Sequence, residues 1–245
     1  MFEQEYQDKL TTPEKAVLSI PDNGFLAHGN LQAEPPALLK AIEERLRSND
    51  LKKLRVFHLG TSVYASKTIL SPEMVDCVEA YPCFVLTKER GLVYGGLSQF
   101  IPNYFHQLPR LIEEYMDAFD ATVTTVSPMD KSGYFSFGTS VDITASVWKR
   151  SKLRIVEVNK HMPRVFGGAL LHISDVDRIV ENHQPIWESP PAKPMLLTRP
   201  SVKSSRKWFP IRRPFNSVSE IFPTRLRRNC SITKTLAFIP KPSRP

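Results

Sequence analysis

The segment best suited to hold a ligand lies at residues 127–138 and reads S-P-M-D-K-S-G-Y-F-S-F-G. It offers the hydroxyl of Ser127 and the carboxylate of Asp130, and its glycines, Gly133 among them, admit backbone conformations that other residues avoid. Its backbone can therefore approach a bound molecule closely. The alternative is that Pro128, Asp130 and Gly133 form only a tight turn.

A second polar segment, at residues 159–164, reads N-K-H-M-P-R. Pro163 ends the strand that precedes it, and Asn159 and Met162 could then face a cleft.

Several kinds of catalytic site have no counterpart in the sequence. We find no glycine-rich nucleotide loop, no G-x-S-x-G turn and no histidine or cysteine spacing typical of a metal site. A Ser-His-Asp set could be drawn within H-I-S-D-V-D, from His172 to Asp177. We interpret that string instead as a strand end followed by a helix over 176–181, capped by Ser174 or Asp175.

The two polar segments follow apolar β-branched runs at residues 121–126 and 153–158, each short enough to be a buried strand. Between the runs, residues 140–151 have helical spacing, and Thr139 or Ser140 could cap that helix. The unit is therefore predicted to be a strand, a loop, a helix and a parallel strand. Both polar segments would leave the carboxyl ends of strands, where α/β proteins commonly bind ligands.

The rest of the chain continues the alternation of strands and helices. We expect one strand that ends at Gly29, and further strands and helices at residues 37–47 (helix), 54–59 (strand), 81–87 (strand) and 108–115 (helix). His58 is interpreted as a satisfied core histidine. The predicted fold class is α/β, an open parallel or mixed sheet with helices on both faces.

Three strings in order, S-P-M-D-K-S-G-Y-F-S-F-G, E-V-N-K-H-M-P-R and H-I-S-D-V-D-R-I-V-E, resemble the amino-terminal half of the acetyl-CoA hydrolase/transferase family. The likeness extends over residues 20–194 and is greatest to the 4-hydroxybutyrate-type CoA-transferases. It implies two similar α/β halves, an acyl-CoA and a short carboxylate as substrates, and coenzyme A as a substrate with no further cofactor. The attacking glutamate in that family lies in the other half.

The resemblance also implies positions for a substrate cleft. Gly29, Glu34 and Pro35 match a turn where a short strand of the family meets its helix, and a tight turn and a CoA-facing role are equally compatible with them. The full set of cleft candidates is Gly29, Glu34, Pro35, Ser127, Asp130, Gly133, Asn159, Met162 and Pro163. No catalytic residue and no metal ligand is assigned.

Charge and glycine divide the chain near residue 194. From Met195 onward there are 12 Lys and Arg and one acidic residue, whereas all ten glycines lie earlier. We therefore predict a CoA-transferase amino-terminal domain at 1–194 and a largely disordered basic tail at 195–245. The polar, acidic start is unlike a signal peptide, no apolar run could span a membrane, and the cysteines are expected to be reduced, which together predict a cytoplasmic protein.

The tail is explained by a shift of reading frame near Pro194. Permitted codons for residues 214–224, each begun at the third base of the codon before, spell I-Q-F-G-I-G-N-I-P-D, and residues 234–242 likewise permit D-L-G-I-H-T-E-A. Strings of this kind carry the oxyanion donors and the glutamate in the family. The chain is then expected to be inactive alone, with exposed apolar surface, and to self-associate or pair with a carboxyl-terminal half.

The alternative is a functional tail. Its basic clusters with interleaved aromatic residues could bind nucleic acid or an anionic membrane. We rank this lower, because an out-of-frame sequence produces the same features by accident; neither membrane nor nucleic acid is an expected partner.

Overall fold

The protein is built around a central β-sheet. Its structure is a computed structural model that describes residues 2–87, 89–168 and 170–188. The strands, in chain order, are β1 (Gly24–His28), β2 (Leu54–His58), β3 (Val78–Pro82), β4 (Phe119–Val126), β5 (Tyr134–Ser136), β6 (Ser151–Val158), β7 (Leu170–His172) and β8 (Arg178–Glu181). Six of them form one sheet in the order β3-β2-β1-β4-β6-β8, and every neighbouring pair is parallel. The short strands β5 and β7 make a separate antiparallel pair.

The α-helices of the described residues are α1 (Phe2–Lys9), α2 (Pro13–Val17), α3 (Pro36–Arg47), α4 (Val63–Lys67), α5 (Arg90–Tyr94), α6 (Leu108–Arg110) and α7 (Thr144–Lys149). A π-helical turn, Leu111–Tyr115, continues α6. None of these helices has the length and apolar content needed to cross a bilayer.

Both faces of the sheet are covered. On one face, α2, α3 and α4 pack over alternate strand residues that include Leu26, Val56 and Val123. On the other face, Leu108, the π-helical turn and α7 pack over Phe25 and its neighbours on the central strands. The predicted α/β fold, a parallel sheet with helices on both faces, is confirmed.

Helix α3 illustrates how local sequence produces this packing. Pro36 occupies its first turn, where the missing N–H costs no hydrogen bond. Its apolar residues at positions three and four apart, Leu38, Leu39, Ile42 and Leu46, are all buried. Burial of side chains of this size contributes about 1.5–3 kcal/mol each relative to exposure, so α3 is held by its packing rather than by its own propensity.

The predicted crossover from one parallel strand to the next is confirmed. Strands β4 and β6 are adjacent and parallel, with Val123 opposite Ile155 and Val126 opposite Val158, and α7 lies between them in the chain. The two polar segments therefore leave the same edge of the sheet.

The helix predicted at residues 176–181 is wrong, because β8 occupies this segment. Ile179 and Val180 are both buried, and the strand gains a ladder of backbone hydrogen bonds to β6. β-branched residues favour that arrangement over a helix. The proposed caps, Ser174 and Asp175, lie in the short 3₁₀ turn Ile173–Asp175, where the side chain of His172 accepts a hydrogen bond from the Ser174 N–H.

Two boundaries also differ from prediction. Helix α7 begins at Thr144 rather than at residue 140, because the Asp142 side chain accepts hydrogen bonds from the Ile143 N–H and the Thr144 hydroxyl and ends the loop there. The strand predicted at 81–87 is wrong for most of its length: β3 is Val78–Pro82, and residues 83–87 lie outside it. Proline is tolerated at position 82 because β3 is the edge strand. The predicted tail at 195–245 and the boundary at residue 194 lie outside the described residues.

Candidate functional site

The direction of chain connection reverses between β1 and β4. From β1 the chain proceeds to β2 and β3 on one side, and then returns to place β4, β6 and β8 on the other side. In open parallel sheets, ligands bind outside the carboxyl ends of the strands at such a reversal. Three loops lie there, at residues 29–35, 127–133 and 159–168, and all nine sequence-predicted cleft residues belong to them.

Gly29 stands at the end of β1, where the chain turns tightly. Its N–H donates to the Val123 carbonyl at 2.8 Å, which ties the turn to β4. A Cβ built on Gly29 would overlap with the Ala33 carbonyl and with Thr124 Oγ1. Glycine is therefore required by space at this position, whatever its φ angle.

Glu34 is buried, and its carboxylate is hydrogen-bonded to residues of helix α4 and its cap. Its two oxygens accept hydrogen bonds from the Ser62 N–H at 2.5 Å, the Ala65 N–H at 3.0 Å and the Ser62 hydroxyl. These donors form the first turn of α4, where a negative charge is favourable. The backbone carbonyl of Glu34 accepts from Thr125 Oγ1 at 2.9 Å, and Pro35 follows as the residue before α3.

Replacing Glu34 with alanine is expected to lower the free energy of unfolding by about 3 kcal/mol, because two buried N–H groups at the start of α4 lose their acceptor. Urea unfolding followed by far-ultraviolet circular dichroism measures the change. Glu73→Ala, which removes an exposed carboxylate paired with Arg47, is the control and should leave the midpoint unchanged. Equal midpoints for both variants would show that Glu34 does not hold α4.

The second loop forms the tight turn that the sequence offered as an alternative. Asp130 Oδ1 accepts hydrogen bonds from the Ser132 and Tyr134 N–H groups, each at 2.9 Å, and the Gly133 N–H donates to the Asp130 carbonyl. The hydrogen bond from Tyr134, with those from Ser132 and the nearby Arg164 guanidinium, lowers the pKa of Asp130. Gly133 has a φ of 81°, which few other residues adopt.

The second and third loops are bound to each other. Arg164 donates to Asp130 Oδ2 at 2.5 Å and to the Tyr134 carbonyl at 3.0 Å. The Ser136 hydroxyl donates to the Val165 carbonyl at 3.0 Å and accepts from the Val165 N–H at the same distance. The two loops therefore form one connected rim.

Side chains within the rim are also engaged. The buried Ser127 hydroxyl accepts from the Ser136 N–H at 3.0 Å, and Asn159 donates to the Gln184 carbonyl at 2.7 Å. Met162 is buried beside Gly138, where a Cβ would overlap with its sulfur, and Pro163 follows it. Most of the predicted cleft side chains thus shape the loops.

The sequence did not single out a buried polar cluster beneath this edge. His28 and His58 are the last residues of β1 and β2, and their rings stack at 5.6 Å between centroids. The sequence did contain a sign of this pair, because each histidine is the last residue of an apolar run. If the two runs are adjacent parallel strands, the histidines at their ends lie side by side. Asn30 joins the same strand ends: its side chain donates to Asp142 at 2.9 Å and accepts from the Leu59 N–H at 2.9 Å.

The interpretation of His58 as a satisfied core histidine is half right. It is buried, but its Nδ1 has no hydrogen-bond partner among the described residues, and Glu89 Oε1 lies 3.4 Å away. Burial, together with the neighbouring His28, lowers the pKa of His58 well below its usual value. Burial likewise raises the pKa of Glu89. Both groups are therefore biased toward their neutral forms.

A second buried carboxylate holds the start of α3. Glu157, on β6, accepts hydrogen bonds from the Ala37 and Leu38 N–H groups at 3.0 and 3.1 Å and from Asn182 at 2.7 Å. Burial raises the pKa of Glu157 to about 7, although these three hydrogen bonds act to lower it. The side chain fixes where α3 leaves the first loop.

The titration of Glu157 predicts a pH-dependent stability. The unfolded chain ionises this carboxyl near its ordinary value of 4.5 and the folded chain near 7, so the folded state binds more protons between these values. The free energy of unfolding should therefore fall by roughly 3 kcal/mol as pH rises through this window. Urea unfolding at several pH values should show this slope in the wild type and its loss in Glu157→Gln. A slope retained by that variant, or lost equally in the exposed control Glu44→Gln, would contradict it.

No cluster of three or more histidine, cysteine or acidic residues within the described part of the chain could hold a metal ion. Burial raises the pKa of the Cys83 thiol to about 12, so it is protonated at neutral pH and a poor nucleophile.

Comparison with known proteins matches residues 1–187 to the acetyl-CoA hydrolase/transferase N-terminal domain. The 4-hydroxybutyrate coenzyme A transferase of Clostridium kluyveri is 32% identical over 193 residues, which are 78% of this chain and 44% of that protein. The butyryl-CoA:acetate CoA-transferase of Anaerostipes caccae is 32% identical over 75% of this chain and 41% of its own length. The crystal structure of RipA from Yersinia pestis superposes with a TM-score of 0.76 at 42% identity, covering 80% of this chain and 47% of that one. The chain thus spans less than half the length of these relatives.

Proposed function

The chain belongs to the acetyl-CoA hydrolase/transferase family, and from this membership we propose that it is the amino-terminal half of an acyl-CoA:carboxylate CoA-transferase of the 4-hydroxybutyrate or acetate type. The observation that carries the proposal is the match of residues 1–187 to the amino-terminal domain of that family. The names of the two curated relatives, which both specify CoA transfer, support the reaction class.

In the proposed reaction a glutamate carboxylate attacks the thioester carbonyl of an acyl-CoA, and the CoA thiolate leaves to give a mixed anhydride. The thiolate then attacks the glutamyl carbonyl, which releases the acyl group as a carboxylate and leaves a glutamyl-CoA thioester. A second carboxylate reverses these steps and departs as the new acyl-CoA. The glutamate and the oxyanion donors belong to the other half of the protein.

The contribution of this half is to form one wall of the cleft. The three hydrogen-bonded loops at the carboxyl edge, with the candidates Gly29, Glu34, Pro35, Ser127, Asp130, Gly133, Asn159, Met162 and Pro163, would border the acyl-CoA. Because the side chains of Glu34, Ser127 and Asn159 are already hydrogen-bonded within the protein, their role is to hold the wall in place. Holding the reacting groups in position in this way supplies a large part of the rate acceleration of a group-transfer reaction.

In this proposal, a frameshift near Pro194 is the reason why the chain lacks the second half of the family's proteins. The shifted codons of residues 214–224 and 234–242 permit the strings that the family uses for the oxyanion donors and the glutamate. In this proposal the 245-residue chain is cytoplasmic and inactive alone. The unpaired Cys77 and Cys83 are in keeping with that compartment.

The test of the reaction is the protein made after correction of the reading frame near Pro194. Supplied with acetyl-CoA and either 4-hydroxybutyrate or butyrate, it should form the new acyl-CoA, and borohydride should trap a glutamyl-CoA thioester. A folded, frame-corrected protein that transfers CoA to neither acid would overturn the proposed function.

A further inference from the structure

Residues 91–109 contain no Asp, Glu, Lys or Arg, in a chain that is 24% charged. This stretch is nevertheless at the surface: Tyr94 is 82% exposed, Tyr104 71% and Phe105 62%. Eleven large apolar side chains are exposed among the described residues, and seven of them fall in or beside the stretch. We call these seven the aromatic strip; they are Phe84, Tyr94, Leu97, Phe100, Tyr104, Phe105 and Tyr115.

The aromatic strip belongs to a segment that is held firmly against the fold. Gln99 and Ile101 donate backbone hydrogen bonds to the Ala80 and Pro82 carbonyls of β3, at 2.8 and 2.9 Å. Asn103 donates to the Cys83 carbonyl at 3.0 Å. Between Phe105 and Tyr115, Leu108 is fully buried beneath the sheet. The exposed side chains are therefore presented by backbone that is anchored along the outer edge of β3.

Such a surface has the composition of a protein interface. Single exposed apolar residues are normal, but a concentration of them without charge is not. Aromatic residues are enriched and charged residues depleted at the centre of interfaces between proteins. A nucleic acid or an anionic lipid surface would require cations, and residues 91–109 contain no Lys or Arg.

We propose that the aromatic strip is the docking surface for the carboxyl-terminal half of a family member. This inference rests on the proposed function, since it is that function which requires a second half. In each of these relatives, more than half of the polypeptide lies outside the region that matches this chain. A second polypeptide segment of similar size is therefore the expected neighbour of the domain at residues 1–187. Three more exposed apolar residues, Tyr134, Val165 and Phe166, lie in and beside the carboxyl-edge loops, outside the strip.

The experiment mixes the 245-residue chain with the separately produced second half of Yersinia pestis RipA and measures binding by calorimetry. The double variant Tyr94→Lys with Phe105→Lys should bind at least about 30-fold more weakly, because each lysine would lose its hydration on docking. Leu18→Lys is the matched control, since Leu18 is 60% exposed at the end of α2 and outside the strip. Circular dichroism establishes, before mixing, that the RipA half and all variants are folded.

Three results would overturn the inference: no binding by the folded wild type, equal binding by the double variant, or equal weakening by Leu18→Lys. Sedimentation of the wild type alone could give a fourth contradicting result. If the wild type forms a dimer and the double variant is a monomer, the strip is the contact between two copies of this chain. The fate of the proposed function is separate. If the frame-corrected protein transfers CoA while the strip variants bind normally, the function stands and only the docking surface is lost.

Discussion

The purified 245-residue chain is expected to transfer no CoA between acetyl-CoA and 4-hydroxybutyrate. The rate should be lower than that of the frame-corrected protein by on the order of 10⁴-fold or more, as expected when a nucleophile is missing altogether. One reason is the missing nucleophile, and a second reason is structural. Among the described residues, three carboxylates are buried near the carboxyl edge. Glu34 and Glu157 are each occupied by the N–H groups of a helix start, and Glu89 accepts hydrogen bonds from the Thr61 hydroxyl and the Leu86 N–H. None of them is free to attack a thioester.

Chromatographic separation of acyl-CoA products measures this rate. The frame-corrected protein, in the same buffer and at the same concentration, is the positive control. Turnover by the 245-residue chain within about 100-fold of that control would mean that a described carboxylate reacts after all. Glu34→Gln would then be the first variant to test, since Glu34 belongs to the loop at the reversal of chain direction.

The substitution Gly29→Ala is expected to be strongly destabilising. The added methyl group would overlap with the Ala33 carbonyl, which is backbone and cannot rotate away, and with Thr124 Oγ1. Relief requires moving the first loop away from β4. We expect a loss of about 4 kcal/mol or failure to fold, at the upper end of the range for point substitutions.

Gly91→Ala is the matched control, because nothing lies within 4 Å of a Cβ built there and the residue is in helix α5. It should leave stability unchanged or raise it slightly. Urea unfolding can be followed by the fluorescence of the buried Trp148. Adding Thr124→Ala to Gly29→Ala should recover only part of the loss, since the Ala33 carbonyl remains. A Gly29→Ala protein within 1 kcal/mol of the wild type would contradict this account of the turn.

The crossover from β4 to β6 was predictable because its signals are local and agree with one another. Two β-branched runs are bounded by turn residues, and the helical spacing between them can form only one kind of connection. The buried face of α3 was predictable for the same reason, as Leu38, Leu39, Ile42 and Leu46 repeat at helical intervals.

The failures have a common physical cause, which is tertiary pairing. Residues 176–181 satisfy a helical cap pattern, but β8 gains backbone partners on β6 that only the folded sheet provides. The roles of Glu34 and Glu157 were hidden in the same way. Each carboxylate meets donors about 30 or 120 residues away in the chain, so no local pattern could show that it caps a helix.

That the three candidate loops share one edge of the sheet was predictable, but the contacts of their side chains were not. Parallel strands bring the loops after β1, β4 and β6 to one edge, and that follows from the order of elements alone. Which side chains point outward does not follow, because it depends on contacts such as those of Arg164 with Asp130 and of Ser136 with Val165. The stacked pair of His28 and His58 was missed because its two members stand 30 positions apart on separate strands.

The nucleotide sequence beyond the codon for Pro194 tests the central claim most directly, namely that the reactive half of the protein is encoded but not translated in this chain. Read one base out of phase, it should spell I-Q-F-G-I-G-N-I-P-D across the codons for residues 214–224 and D-L-G-I-H-T-E-A across those for residues 234–242. A stop codon, or unrelated residues in that phase, would contradict the claim.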